Sequence, residues 1–221
     1  MQSQYTFYLH KMNKFWLFGT LLIFSFTGIH GQSVSLLFGS SINQNEIFYE
    51  STNGATAVSS TSIAPIVGFE IQHSPKVATS WTLKTNNAFD NIAIGELFNY
   101  TFHYNELGLK LDVGVVNINH SQFFVSSGAS AQILTEARQS LGSFNYNLLE
   151  GGFEKSGSSL FFGIGSKGNS TKALSFTTDL RYNLGMTNFE KDSDQVLNMG
   201  SVSLNLMLRL NVEAIGKGSD D

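Results

Sequence analysis

The chain has no cysteine, two prolines in 221 residues, and charge on only 14% of its positions. Without cysteine there is no disulfide framework and no lipid-anchoring thiol, so the chain can cross an oxidising compartment unchanged. The charged share falls well below the roughly 25% usual for soluble domains. Positive charge is scarce too: the net value is −4, and setting aside Lys11 and Lys14 leaves −6, which excludes a nucleic-acid surface. Beyond residue 31 there is no helix-period segment, and no apolar run approaches the roughly 20 residues a spanning helix needs. Metal-ligand spacing, a glycine-rich phosphate loop and paired catalytic carboxylates are all missing. No cofactor is expected.

What the chain does have is Phe (19) and Gly (21) in number, abundant Ser and Asn, and a two-residue rhythm. In Ser201 to Val212 every even position is apolar and most odd positions are polar. A strand turns successive side chains to opposite faces, so this segment has one apolar and one polar face. The rhythm returns in eight stretches: about 33–41, 62–72, 77–86, 102–115, 121–134, 158–166, 172–184 and 201–212. With no helix to cover a sheet, the economical arrangement is all-β. It is an eight-stranded antiparallel transmembrane β-barrel with lipid outside and polar residues inside.

The gaps between these stretches alternate. Long polar gaps (43–61, 87–100, 135–156, 185–199) are separated by tight turns at His73–Lys76, Asn117–His120 and Lys167–Thr171. Outer-membrane barrels place short turns on the periplasmic side and long loops on the extracellular side. The N-terminus fits that destination. Met12-Asn13-Lys14 is a short basic start, Phe15 to Ile29 is uncharged and mostly apolar, and Gly31 precedes Gln32. This is the layout of a secretory signal peptide. The expected organisation is an N-terminal extension plus signal over 1–31, a barrel over 32–212 and a polar tail over 213–221. Translation starts at Met1 or at Met12.

Three segments carry a resemblance. Phe102-His103-Tyr104-Asn105-Glu106-Leu107-Gly108-Leu109-Lys110-Leu111, Phe123-Phe124-Val125-Ser126-Ser127-Gly128-Ala129 and Asp179-Leu180-Arg181-Tyr182-Asn183-Leu184-Gly185-Met186 resemble strands of the small porin-like outer-membrane β-barrel family typical of Bacteroidota. The resemblance spans essentially the whole chain after residue 31 and implies a fold better than a function. Gly108 stands where that family usually has proline, and the tail Glu213 to Asp221 replaces a terminal aromatic strand end.

Parity puts eight charges inside the barrel: Glu70, Glu106, Asp112 and Asp179 against Lys84, Lys110, Arg181 and Arg209. An eight-stranded barrel is just wide enough for side chains to fill it, and buried charges persist when paired. The expectation is a plugged, charge-balanced lumen. The long loops instead carry ten acids against Arg138, Lys155 and Lys191. They also carry Phe48, Tyr49, Phe144, Tyr146 and Phe189, which their loop positions would expose. The expected function is structural, with surface interactions made through the acidic loops. The expected partners are outer-membrane lipids and lipopolysaccharide, the barrel-assembly machinery during insertion, and an unidentified surface partner.

Two alternatives stand beside this reading: a narrow porin for small solutes, and a lipid-A-modifying enzyme built on a surface His, a neighbouring Ser and an acid. His73-Ser74 and His120-Ser121 both lie in short turns, away from the outer leaflet. His103 has Glu106 nearby in sequence and no nucleophile beside it. A non-enzymatic barrel is expected.

Overall fold

Each rhythmic stretch becomes a strand. The computed structural model describes residues 33–51, 54–94, 98–168, 173–191 and 196–212. The signal segment and the tail from 213 lie outside the described residues. The strands are β1 (Ser33–Ser51), β2 (Gly54–Ser74), β3 (Val77–Ile94), β4 (Phe98–Ile118), β5 (Ser121–Leu141), β6 (Phe144–Asn147), β7 (Ser156–Gly168), β8 (Leu174–Gly185) and β9 (Val196–Asn211). Hydrogen bonding runs β4-β3-β2-β1-β9-β8-β7-β5, and β4 pairs back onto β5. All pairs are antiparallel, so eight strands close a ring in which every strand has two neighbours. Closure is what satisfies backbone polar groups in a hydrocarbon layer. Short β6 adds to β5 outside the ring, followed by a 3-10 turn over Leu148–Glu150.

Two tight turns lie where the sequence put them, at Pro75-Lys76 and Asn119-His120. Ser74 Oγ accepts from the amides of Lys76 (3.3 Å) and Val77 (3.1 Å), and Asn119 takes the positive φ (54°) that Asn tolerates. The opposite ends correct the sequence reading. The outer connections are long, but most of the first three is strand; in the fourth, no strand is described between Gly185 and Val196. β1 continues to Ser51 and β2 resumes at Gly54, so almost all of the 43–61 gap is ladder. Crossing a membrane takes about 9–11 residues per strand, whereas β2, β4 and β5 have 21 each. The surplus stands outside the bilayer.

The ladder continues because the alternation never stops; it inverts. Along β1 the outward residues change from Phe38 and Ile42 to Gln44 and Glu46, while the inward ones change from Asn43 and Asn45 to Ile47. On β9 the inward Ser203 and Ser201 give way to Met199 and Leu197, and on β4 Glu106 gives way to Tyr104 and Phe102. Register aligns these switches, since Asn45 faces Ser201 and Ile47 faces Met199. Below the switch the wall is apolar outside and polar inside. Above it β1 to β5 and β9 continue with the reverse polarity, polar outside and an apolar core within, whereas β7 and β8 end near the switch.

Candidate functional site in the barrel lumen

The outside of the lower wall identifies its surroundings. Ile63, Phe176 and Phe162 are 72%, 71% and 61% exposed, and every strand of the ring contributes similar outward residues. Apolar area left in water costs about 25 cal/mol per Å², so this belt needs lipid.

Inside that belt all eight charges placed by parity are buried. They fall into separate groups. Lys84 Nζ lies 3.3 Å from Glu106 Oε2, with Asn43 Oδ1 also within reach at 3.4 Å. Asp179 is the hub of a second group. Lys110 Nζ reaches its Oδ2 at 2.9 Å, and Arg181 donates from Nε to Oδ1 and from Nη2 to Oδ2, both at 3.0 Å. Asn205 Nδ2 also donates to Asp179. Asp112 Oδ2 lies 3.0 Å from Lys110 Nζ, an ion pair by distance that lacks hydrogen-bond geometry. In the third group Arg209 Nε donates to Glu70 Oε1 at 2.9 Å.

A ninth charge corrects the expected balance. Lys167 does not open a turn; it is an inward residue of β7, 3% exposed, because the ladder runs on through Gly168, opposite Ser121. Its Nζ donates to Gln72 Oε1 at 3.0 Å and lies 3.8 Å from Glu70 Oε2. Among the described residues the lumen therefore holds five bases and four acids.

Glycine and aromatic residues make room for these long side chains. Lys110 Nζ lies 5.0 Å from the Phe124 ring centre and Arg181 4.9 Å from that of Phe161, within range for cation–π attraction. Phe124 fits because Gly165 faces it: a Cβ there would sit 2.5 Å from the ring and 2.8 Å from Asp179 Cβ.

Above the charges the mouth is filled by an apolar cluster that includes Ile47, Phe89, Phe102, Leu134, Leu197 and Met199. Two rings come from the outer connections. Phe153 and Phe189 are 2% and 1% exposed, so Phe189 is a buried cap residue and not the exposed loop aromatic expected. Tyr49 is likewise only partly exposed, whereas Phe48, Phe144 and Tyr146 face water. The two connections bridge over the mouth, with Glu154 N donating to Phe189 O (2.8 Å) and Lys191 N to Gly152 O (3.1 Å). Gly157 below admits the Phe189 ring, which a Cβ would strike.

The histidines divide. His73 shares a 2.7 Å hydrogen bond with Thr79, and His120 stays exposed in its turn. His103 points outward, whereas Glu106 points into the lumen, so they are not partners. His103 Nδ1 instead lies 3.1 Å from Glu136 Oε2, beside Arg138.

A closed antiparallel wall with an apolar belt outside and paired charges within defines the class: an integral β-barrel of the bacterial outer-membrane type. No family model and no curated protein sequence matches the chain. Among solved structures it is similar to neisserial surface protein A, with a TM-score of 0.50 at 12% identity over 79% of this chain and 96% of that one. Ail, the attachment invasion locus protein of Yersinia pestis, aligns with a TM-score of 0.47 at 12% identity over 80% of this chain and 99% of its own. At such identity the likeness to neisserial surface protein A is one of fold.

Proposed function

We propose that this chain is an outer-membrane scaffold whose lumen is closed and whose interactions are made by the ribbons standing outside the bilayer. The observation that carries the reading is double closure. A charge network fills the membrane level, and an apolar cap seals the mouth above it. A path for solutes would have to breach both. The narrow-porin alternative fares worse for the same reason. The outer ribbons meanwhile present Phe48, Phe144 and Tyr146 to water at 44%, 67% and 55% exposure. Binding residues concentrate on such projections from rigid frames. By the motifs at Phe102–Leu111 and Asp179–Met186 we place the chain with the small porin-like barrels of Bacteroidota.

The partners follow from the surface. The outer rim carries exposed Glu46, Glu50, Asp90 and Glu150, carboxylates able to share divalent cations with lipopolysaccharide. Insertion calls on the barrel-assembly machinery, and a surface partner meets the β5–β6 hairpin. Trimming that hairpin tests the reading. The deletion must stay within 140–146, because Ala137 is a core residue and Leu148 and Leu149 pack on the cap. The expected product is a folded, heat-modifiable barrel with altered adhesion or altered sensitivity of the envelope to chelators. Unchanged surface behaviour, or a chain extracted by carbonate as a soluble protein, would overturn it.

One observation favours a second reading, lipid-A modification. His103 and Glu136 form an acid–base pair on the outward face just above Leu107, where an outer-leaflet lipid would lie. We nevertheless assign the pair a structural role, since no nucleophile is joined to it among the described residues. Lipid A from cells making the His103→Ala variant should match that from wild type; a changed acylation pattern would establish the enzyme.

A further inference from the structure

We infer that the periplasmic half of the lumen binds one small inorganic monoanion of halide size between Arg209 and Lys167. The charge groups support this independently of function. Lys84 and Glu106 balance. Lys110 and Arg181 balance Asp112 and Asp179, with Asp112 matched by Lys110 at 3.0 Å. In the remaining group Arg209 and Lys167 share Glu70 alone, at 2.9 and 3.8 Å. Asp112 also lies within electrostatic reach of Glu70 and Lys167, so this trio and the Asp179 group form one field in which four bases face three acids, and the trio is the part where the bases outnumber the acids. All three members are at most 3% exposed. A buried charge with no counter-charge is costly by several kcal/mol.

The free donors lie in the same place. Arg209 spends Nε on Glu70, while Nη1 and Nη2 are both buried with no hydrogen-bond partner among the described residues. The hydroxyls of Ser175 and Thr177 are also buried and unpartnered. Register puts Ser175 directly opposite Arg209 and Thr177 directly opposite Lys167, with both hydroxyl residues inward on β8. Two cations on β9 and β7 thus flank two free hydroxyls on the strand between them. The unused groups of Arg209, Ser175 and Thr177 can all donate, which suits an anion seated away from the Asp112 carboxylate. Water could satisfy the hydrogen bonds but not the charge. The site must be small, because an eight-stranded barrel is just wide enough inside for its own side chains.

The test uses the full barrel refolded in zwitterionic detergent. Its unfolding midpoint, read as loss of the heat-modifiable form, is compared in sodium bromide and sodium gluconate at equal ionic strength. Gluconate is too bulky to enter. An ion that binds the folded state alone raises the midpoint with concentration. The wild type should gain several degrees in bromide, and the gain should saturate. Lys167→Met, in which Arg209 and Glu70 balance, should fold and show no such gain. Thr177→Val keeps the excess charge and should show a reduced gain. Crystals grown in bromide should give an anomalous peak beside the Arg209 guanidinium. Equal wild-type midpoints in the two salts, an undiminished bromide gain in Lys167→Met, or ordered water alone at that position would each overturn the proposal.

Discussion

Lys110 Nζ and Asp179 Oδ2 meet at 2.9 Å across the lumen, joining β4 to β8 over 69 residues of sequence. Asp179 also takes two hydrogen bonds from Arg181, so one carboxylate holds two buried cations. Asp179→Ala would leave Arg181 without its hydrogen-bonded counter-charge and Lys110 with Asp112 alone, at an expected cost of about 3–5 kcal/mol. Urea unfolding of the variant in lipid vesicles measures this. A loss below about 1 kcal/mol, the scale of exposed pairs, would mean that water screens the network.

Conductance follows from the double closure. In planar bilayers the wild type should show no channel or only a very small one. Phe153→Ala or Phe189→Ala opens the cap without touching the charge layer, so neither should create stable openings. Large, long-lived openings in the wild type would refute the closed lumen.

The cap predicts a separable loss of order. Phe189 is 1% exposed and packs over Gly157. Buried Phe→Ala changes cost about 3–5 kcal/mol where the site cannot collapse. Here the loss should fall on the outer connections. Limited proteolysis of Phe189→Ala should cut within 148–155 or 186–197 while the membrane-level barrel stays intact and heat-modifiable. Wild-type resistance in that variant would show that the ring does not hold the cap.

Gly165→Ala tests packing in the polar layer. The new methyl would meet Phe124 at 2.5 Å and Asp179 Cβ at 2.8 Å, and the Thr178 carbonyl beside them is backbone that cannot swing away. Overpacking of this kind costs about 1–3 kcal/mol. The unfolding midpoint should fall, and the double variant Gly165→Ala/Phe124→Leu should recover part of the loss. A neutral single variant would mean that the lumen is looser than these contacts.

Much of this was legible because strand parity is a strictly local property. Adjacent Cβ atoms must point to opposite faces, so Ser201 to Val212 announces its own inside and outside. The same parity puts Glu70, Lys84, Glu106 and Arg209 in the lumen. The polarity inversion left a trace too: Gln44, Glu46 and Glu50 alternate with Ile47 and Tyr49, still with period two. Read for apolar outward positions alone, that segment looks like loop.

Other features depended on the closed ring. Glu136 shares sequence parity with inward Gln132 and Leu134, yet it faces outward beside His103. The register there passes from Tyr104↔Leu134 to His103↔Glu136, and the extra residue, Thr135, is a β-bulge that flips the face. Lys167 precedes Gly168-Asn169-Ser170, which read as a turn, and it became luminal because pairing with β5 carried β7 two residues further. Nothing near Phe153 or Phe189 marks them as a cap, since the space they fill is bounded by strands from across the chain. Between bulges, which side of a strand faces the lumen was thus written in the sequence, through the alternation of neighbouring side chains. Which charges meet across it, and what closes its mouth, was decided only when eight strands took one register, because those distances belong to the ring and not to any segment of it.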